Sequence, residues 1–227
     1  MREHPIVFST PMVQAILEGK KTQTRSVIKP QPSKDEPNIN YCTIEGFQTA
    51  PPGEEIWADT EKGESVQLKP KYEKGDVLWV RETWTKDVEG FIYKADLEDW
   101  QLQRFDSWNY KWKPSIHMPR KAARLFLKVK SVRVERLRDI SEKDAKAEGV
   151  EKFNKCKTLY RDRIRNQVIA CGGGAYPIVH CVDCDKFKNT SFKNGFMFLW
   201  EALNAKGGYS FKSNPYVWVY EFMRVEK

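Results

Sequence analysis

The apolar residues between positions 125 and 134 follow a strand pattern whose parity changes partway along. Apolar and polar residues alternate at Leu125, Leu127 and Val129 and then, one position out of step, at Val132 and Val134. Side chains on one face of a strand recur with period 2. A β-bulge near Lys130-Ser131 would explain this change, and bulges bend strands. This pattern favours a small β-barrel built on a bent strand.

The other periodic segments do not follow the strand–helix alternation of a parallel α/β fold. Helical spacing begins at Ser9-Thr10-Pro11 and ends at Gly19, and Ser141 and Asp144 have the spacing of a capping box before a helix that closes at Gly149. A longer amphipathic helix is predicted from Phe196 to Leu203. A continuous apolar run at 77–80 predicts a buried strand, and residues 216–222 predict a closing strand. The expected fold class is α+β, a small β-barrel with peripheral helices.

Two long segments interrupt this pattern. Residues 31–74 are rich in Pro, Gly, Glu and Lys, and residues 152–194 contain four of the five cysteines and a Gly172-Gly173-Gly174 turn. Neither has the hydrophobic content of a second core. The sequence therefore predicts a single domain over residues 1–227 with insertions at about 31–74 and 152–194.

The charge balance points to an acidic partner. The chain of 227 residues has 39 Lys and Arg against 31 Asp and Glu, a net charge of +8. Such a surface attracts polyanions, so RNA is the first macromolecular partner to consider and DNA the second. No segment approaches the roughly 18 to 20 apolar residues of a membrane span, and the N-terminus lacks the apolar core of a secretory signal. We expect a cytoplasmic protein without a membrane partner.

The cysteines leave two interpretations open. Cys181 and Cys184 form a close pair of the kind found in zinc sites, and Cys156 and Cys171 lie upstream as completing ligands. A structural zinc usually has two close pairs, and only one is present. The alternative is free thiols or a reversible disulfide in an insertion, which suits an odd count that includes Cys42.

Two segments carry candidate chemistry. In Gly19-Lys20-Lys21-Thr22-Gln23-Thr24-Arg25, lysines lie beside hydroxyls at a helix end, where a lysine can bind an anion or activate a hydroxyl as a nucleophile. A solvated basic turn is the alternative. Glu148 lies at the end of the short helix, where the helix dipole disfavours a carboxylate and so favours acid/base work. The alternative there is an ordinary surface glutamate.

The aromatic residues offer a further hypothesis. Trp79, Trp84, Trp108 and Trp112 lie among basic residues and could stack nucleic-acid bases, although tryptophans more often lie in a core or lid. His117 between two prolines is a candidate substrate contact or an ordinary loop histidine.

In combination, these segments resemble the ASCH domain proteins of the PUA-like superfamily, particularly the longer members encoded by tailed phages and prophages. The resemblance lies in Ile6–Ser9, Met12–Arg25, Gly75–Trp84, Ile116–Arg120, Val134–Gly149 and Asn214–Phe222. It covers well over half of the chain and leaves both insertions unmatched. It implies a PUA-like β-barrel with a cleft for RNA, nucleotides or modified nucleosides.

The resemblance also implies an activity. Small bacterial members are amidohydrolases that remove the acetyl group of N4-acetylcytidine with a lysine, a threonine and a glutamate, and without a cofactor. By motif these fall on Lys21, Thr24 and Glu148, with Lys21 as a base or activator, Thr24 as the nucleophile and Glu148 as the proton shuttle. The family often has an arginine two positions after the threonine, where this chain has Ser26, with Arg25 one residue earlier. Substrate-binding residues are expected at Lys20, Arg25, Trp79, Arg81, Glu82, Trp84, His117 and Arg120.

Two other function classes stay open. The family includes proposed nucleases and non-catalytic readers of nucleic acid, so a shared fold does not determine the reaction. The net charge and the aromatic residues favour an RNA- or DNA-binding module. An accessory phage protein that acts through protein contacts in the bacterial host is the third class.

Overall fold

The computed structural model describes residues 2–31, 39–40, 56–59, 65–107, 111–154, 160–162, 167–169 and 190–226. Its helices are α1 (Thr10–Leu17), α2 (Asp99–Ser107), α3 (Glu142–Ala147) and α4 (Phe192–Asn204). Its strands are β1 (Glu3–Val7), β2 (Gln23–Val27), β3 (Ile39–Asn40), β4 (Ile56–Asp59), β5 (Ser65–Leu68), β6 (Val77–Arg81), β7 (Trp84–Lys86), β8 (Phe91–Tyr93), β9 (Phe126–Arg136), β10 (Phe153–Asn154), β11 (Tyr160–Asp162), β12 (Gln167–Ile169), β13 (Thr190–Ser191) and β14 (Tyr216–Val225).

A mixed five-stranded sheet forms the centre of the fold, in the order β1-β6-β9-β14-β2. The β1–β6 pair is parallel, and the other three pairs are antiparallel. Two-stranded sheets β7-β8, β10-β13 and β11-β12 and the three-stranded sheet β3-β4-β5 lie outside it. The α+β class is therefore confirmed.

The sheet is open in the part of the chain that the structure describes. Strand β1 pairs only with β6, and strand β2 pairs only with β14. The closed ladder of the expected barrel is thus absent among the described strands, because no pairing joins the two edge strands. Both edges instead line one cleft.

The bulge expected near Lys130 is confirmed. Along the β9–β14 ladder, Glu221 pairs with Ser131 and the next residue, Phe222, pairs with Val129. Lys130 is the extra residue and is exposed. The parity change in the sequence therefore marks the position at which β9 bends, as expected for a bulged strand.

The two faces of the sheet carry separate cores. One face packs against α1 and includes Phe8, Val13 and Tyr220. The other face packs against α3 and α4 and includes Val219, Phe196 and Trp200. Since side chains alternate between faces along a strand, consecutive residues of β2 belong to different cores. Helix α4 includes the helix that the sequence predicts from Phe196 to Leu203.

Local chemistry explains where the two short helices end. Helix α1 stops before Gly19, which has a φ of +71°, and α3 stops before Gly149, which has a φ of +80°. Glycine adopts this left-handed conformation without the steric cost that a Cβ brings. At the start of α3, the Ser141 hydroxyl accepts a hydrogen bond from the Asp144 amide at 3.0 Å, so the predicted cap is formed.

The two insertions are only partly described. Within the first, residues 39–40, 56–59 and 65–68 form the sheet β3-β4-β5. All five cysteines lie outside the described residues, so the zinc interpretation stays a prediction. No helix among the residues that the structure describes is long and apolar enough to cross a membrane.

Candidate functional site

Lys21 is the most deeply buried cation of the candidate site. The residue is 2% exposed. Its ammonium donates to the main-chain oxygen of Gln23 at 2.8 Å, to the main-chain oxygen of Glu148 at 3.0 Å and to Glu148 Oε2 at 2.9 Å. An ammonium has three N–H donors, and all three are used. Lys21 Nζ also lies 5.4 Å from the centre of the Phe8 ring.

Glu148 lies between two cations. It is 3% exposed, and its Oε1 accepts a hydrogen bond from Arg25 Nη1 at 2.9 Å while Oε2 accepts the bond from Lys21. Arg25 is 8% exposed, and its Nη2 donates to Glu135 Oε2 at 3.0 Å. A buried carboxylate is stable only when it is paired and hydrogen-bonded, and both conditions hold here. Glu148 is therefore not a solvated surface glutamate.

Tight backbone contacts bring these residues together. Lys21 and Glu148 form an isolated antiparallel bridge, and the amide of Thr22 donates to the oxygen of Ala147 at 2.8 Å. Beside the bridge, a Cβ on Gly149 would lie 2.7 Å from the Cβ of Lys21 and 2.8 Å from the Cβ of Ala15. Only glycine permits this approach, so the ends of α1 and α3 together set the position of the Lys21–Glu148 pair.

A second set of polar residues continues the cluster toward solvent. Glu135 accepts from Arg133 Nε at 2.5 Å, and Arg133 also binds Glu221. Gln23 Nε2 donates to Asp144 Oδ1 at 2.9 Å and to Glu221 Oε1 at 3.0 Å. Burial by itself would raise the pKa of Asp144, but hydrogen bonds from Ser141 and Gln23, with nearby Arg25 and Arg133, lower it.

A cleft of about 980 Å³ lies beside this cluster. Its lining includes Thr24, Arg25 and Glu148, the end of β1 with Val7 and Phe8, and apolar residues of α4 such as Leu199 and Leu203. Lys21 does not belong to the lining and reaches the cleft through its contact with Glu148. A pocket with apolar walls and a few buried polar groups is the usual form of a small-molecule site.

Thr24 and Arg25 point to opposite sides of strand β2. Thr24 pairs with Tyr220 of the first core, whereas Arg25 pairs with Val219 of the second core. Directly paired residues point to the same face of a sheet. Thr24 therefore points to the α1 side and Arg25 to the α3 and α4 side, and no hydrogen bond joins Thr24 to Lys21 or Glu148. The cleft contacts both because it passes around the free edge of β2.

The other residues expected to bind substrate lie outside the lining of the cleft. Lys20 is exposed and pairs with Glu18 at 2.5 Å, and Arg120 pairs with Glu3 at 2.8 Å. His117 is exposed on a one-turn 3-10 helix. Among the substrate-binding residues expected from the sequence, only Arg25 lines this cleft.

The aromatic residues at β6 and β7 contact other side chains of the protein. Trp84 is 6% exposed in a small core with Met118. The Arg81 guanidinium lies 5.6 Å from the Trp79 ring, and both residues are half-buried. The structure thus favours the packing interpretation of Trp79 and Trp84. Trp108 lies outside the described residues.

Glu82 forms a separate buried ion pair. It is 1% exposed, and Arg124 holds both of its oxygens, with Nε to Oε1 at 2.9 Å and Nη2 to Oε2 at 3.0 Å. Burial raises the pKa of Glu82, and the hydrogen bonds and charge of Arg124 offset that effect only in part.

Gln23, Glu135, Arg133 and Asp144 belong to the cluster but were not expected from the sequence. Gln23 and Arg25 follow Lys21 at intervals of two residues, the period of one face of a strand. Arg133 and Glu135 likewise share a face of β9. These spacings were available in the sequence, but the pairing between β2, β14 and β9 that brings them together was not.

Comparison with known proteins adds no relative. No protein-family model, no curated protein and no solved structure matches this chain. Among the residues that the structure describes, no group of three or more His, Cys, Asp or Glu could hold a metal ion.

Proposed function

We propose that this protein is a nucleoside amidohydrolase of the ASCH type, with a PUA-like fold, that hydrolyses the N-acyl group of N4-acetylcytidine or a related modified nucleoside. The observation that carries the proposal is the 2.9 Å hydrogen bond between Lys21 Nζ and Glu148 Oε2 at the wall of a cleft that Thr24 also lines. Two of the three residues that the resemblance implies, Thr24 and Glu148, thus line one cleft, and the third, Lys21, binds Glu148. The bent, open sheet with both edges at the cleft is compatible with that fold.

Thr24 and Glu148 carry the chemistry in this proposal. A water molecule at the free edge of β2 relays the Thr24 hydroxyl proton to Glu148, and the Thr24 oxygen attacks the acyl carbon. The tetrahedral intermediate then collapses, the bond from the acyl carbon to N4 breaks, and Glu148 returns the proton to N4. Cytidine leaves, and an acyl-threonine ester stays on the protein.

Water completes the cycle. A water molecule attacks the ester carbon and gives a proton to Glu148, and the carbon–oxygen bond to Thr24 then breaks. Thr24 recovers that proton, and the acyl group leaves as a carboxylic acid. Atoms and charges balance without a metal, a redox partner or an organic cofactor, so the proposed reaction needs none.

Lys21 acts on Glu148 in this scheme and not as the base. All three of its N–H donors are engaged, so Nζ has no free lone pair to accept a proton from Thr24. Its bond to Oε2 fixes the position of the carboxylate at the cleft. Lys21 is therefore a positioning residue, and Thr24 and Glu148 are the proposed catalytic residues.

The test is chromatographic. N4-acetylcytidine is incubated with the wild type and with Thr24→Val, Glu148→Gln and Lys21→Met variants, and cytidine is quantified over time. We expect Glu148→Gln and Thr24→Val to lower the rate by roughly 10²- to 10⁴-fold, the range of general acid–base catalysis. We expect Lys21→Met to shift the pH dependence of the residual rate as well as to lower it.

Asp76→Asn is the matched control. Asp76 is a buried carboxylate, 4% exposed, that accepts hydrogen bonds from the amides of Arg2 and Glu73, and it does not line the cleft. Any rate loss caused by removing a buried charge in general appears in this variant too. A wild type that forms no cytidine at high protein concentration contradicts the proposal.

Nucleic-acid binding is the second candidate function. Its support is the net charge of +8 and the position of Lys29, an exposed cation of the cleft lining held 5.3 Å from the Tyr209 ring. RNA is the expected polymer, and DNA is the alternative. Fluorescence anisotropy with a short oligonucleotide tests this function: affinity that falls steeply with salt, without turnover of acetylated nucleosides, favours the binding module. Either function suits a phage- or prophage-encoded protein in the host cytoplasm.

A further inference from the structure

Strand β2 has one bonded edge and one free edge among the described residues. The amide of Ile28 donates to the oxygen of Tyr216 at 3.1 Å, and the amide of Phe222 donates to the oxygen of Thr22 at 2.9 Å. In an antiparallel pair, bonded and non-bonded positions alternate. The even-numbered residues of β2 therefore bond to β14, and the main-chain groups of Gln23, Arg25 and Val27 point away from it.

One of these outward groups shows the direction directly. The main-chain oxygen of Gln23 accepts the Lys21 ammonium at 2.8 Å and thus points toward the Lys21–Glu148 pair. Arg25 and Val27 follow on the same edge, and both line the cleft. In the part of the chain that the structure describes, no strand pairs with this edge. Their amides and carbonyls are therefore free to bind a ligand in the cleft.

The walls around this strip of polar main chain are apolar. Val7, at the end of the opposite edge strand, is 47% exposed, and Leu203 of α4 is 59% exposed. Leu199 lies one turn before Leu203 and also lines the cleft. Apolar walls with a narrow polar edge suit a flat heterocycle, whose faces are apolar and whose rim carries hydrogen-bonding groups.

The spacing along β2 matches such a ligand. A strand rises about 3.3 Å per residue, so Val27 lies roughly 10 Å along β2 from Thr24. If the acyl carbon is held at Thr24, the exocyclic amide nitrogen, the ring and one hydrogen bond fill the distance from Thr24 to Val27. The next outward amide after Arg25 then faces the ring rather than the acyl group.

We propose that the main-chain amide of Val27 donates a hydrogen bond to O2 of the pyrimidine, and so selects heterocycles with a carbonyl oxygen on the ring carbon meta to the exocyclic amide. This inference rests on the proposed function, because Thr24 defines where the scissile amide lies. The main chain recognises the ring, and the side chains of Thr24 and Glu148 act on the acyl group.

Two substitutions of Val27 separate the amide from the side chain. Val27→Pro removes the N–H and keeps an apolar side chain, and proline is tolerated on an edge strand where its nitrogen faces away from the ladder. Val27→Ala keeps the N–H and removes most of the side chain. Binding of cytidine, the product, is measured by titration calorimetry. We expect Val27→Pro to raise Kd about tenfold and Val27→Ala to raise it less than threefold.

Ser26→Pro checks the assignment of the two edges. Its amide is on the bonded side, so we expect this variant to lose much of its secondary structure while Val27→Pro stays folded by circular dichroism. An amide NMR spectrum adds a readout that needs no substitution. Cytidine should shift the Val27 amide resonance and leave the Ser26 resonance in place.

The outcomes distinguish the inference from the proposed function. Equal cytidine affinity in Val27→Pro and Val27→Ala overturns the inference, whatever the turnover. Weakened binding in Val27→Pro without any hydrolysis by the wild type supports the inference and overturns the amidohydrolase. A wild type that neither binds cytidine nor hydrolyses its acetylated form overturns both.

Discussion

Glu148 and Glu82 are two buried glutamates that the fold treats differently. Glu82 is 1% exposed and binds one guanidinium with both oxygens, and that guanidinium also binds Asp96. Glu148 is 3% exposed, but one of its oxygens binds Lys21 and the other binds Arg25. Glu148 also lines a cleft.

The difference shows what burial and pairing can indicate. Both features are shared by the two glutamates, so neither feature by itself indicates a functional site. Glu82 closes its pair within the protein, which is the pattern of a structural contact. Glu148 combines its pairs with access to a cleft, where a ligand can contact it.

The largest expected effect is the loss of stability when Glu148 is removed. Glu148→Ala leaves Lys21 and Arg25 buried without their shared carboxylate, and breaking a buried ion pair typically costs about 3 to 5 kcal/mol. We expect about 4 kcal/mol for Glu148→Ala. For Glu82→Ala we expect about 3 kcal/mol, because Arg124 is partly exposed and keeps Asp96 as a partner. Urea unfolding followed by tryptophan fluorescence measures both.

The order of these two losses is the informative result. If Glu82→Ala lowers stability more than Glu148→Ala, the charges of Lys21 and Arg25 are better compensated without Glu148 than the geometry implies. The contrast between the two glutamates then fails. Glu148→Gln and Glu82→Gln serve as shape-matched controls, since the amide retains the size of the side chain and removes only its charge.

The next effect concerns the close approach at Gly149. Gly149→Ala places a Cβ 2.7 Å from Lys21 Cβ at a φ of +80°, whereas Gly208→Ala meets nothing within 4 Å at a φ of +87°. Both variants bear the left-handed conformational cost of about 1 kcal/mol. We expect Gly149→Ala to lose a further 1 to 3 kcal/mol, the usual range for overpacking.

Thermal unfolding of both variants isolates that steric part. Equal losses would show that the contact between α3 and Lys21 relaxes without cost. A larger loss in Gly149→Ala, together with reduced turnover per folded molecule, would link the tight contact to the position of Lys21.

A smaller effect separates the two regions by pH. The pKa of Glu82 is raised above its ordinary value of 4.5, so the folded state binds its proton more tightly than the unfolded state. This contribution to stability is present at low pH and is lost as pH rises through the folded pKa. Glu82→Gln should therefore flatten a decrease in stability above pH 4.5, with a slope below about 1.4 kcal/mol per pH unit.

Asp144 in the Glu148 region should show the opposite sign. Its pKa is lowered below its ordinary value of 3.8, so its contribution is present above that value and is lost as pH falls through the folded pKa. Asp144→Asn should reduce the acid-induced loss of stability. Urea unfolding of the wild type and both variants across pH 2 to 7 measures these changes, and changes of the same sign in the two variants, each relative to the wild type, would contradict the assignment.

The smallest expected effect lies at Lys20, next to Lys21 in sequence. Lys20 pairs with Glu18 on the surface, and exposed pairs contribute little because solvent screens them. Lys20→Ala should leave the urea midpoint within experimental error, whereas Lys21→Ala should lower it clearly. A similar shift in both variants would mean that burial does not distinguish the two lysines.

Local features of the fold could be predicted from the sequence because their causes are local. The cap at Ser141, the left-handed glycines at Gly19 and Gly149 and the bulge at Lys130 each follow from a few adjacent residues. The open edge of β2 could not be predicted in this way. Its pairing depends on a register with β14 that no short segment specifies.

The same division holds for the candidate site. Lys21, Thr24 and Glu148 were proposed from motif and resemblance, and the structure places Lys21 in contact with Glu148. It also places Thr24 on the face of β2 opposite to that of Arg25. This follows from the strand period once the strand is known. The roles of Gln23 and Glu135 depend on contacts across three strands, so the sequence pattern did not indicate them.

The long sequence separations within the site bear on how the chain folds. Lys21 and Glu148 are 127 positions apart, and Gln31, just after β2, bonds to Tyr216 across 185 positions. Contacts of such separation form late, because the entropy of closing a long loop must be overcome before they contribute. We therefore expect the site to be assembled in one of the last steps of folding. Recovery of ligand binding during refolding should lag behind recovery of helical signal, so binding reports on the completed sheet.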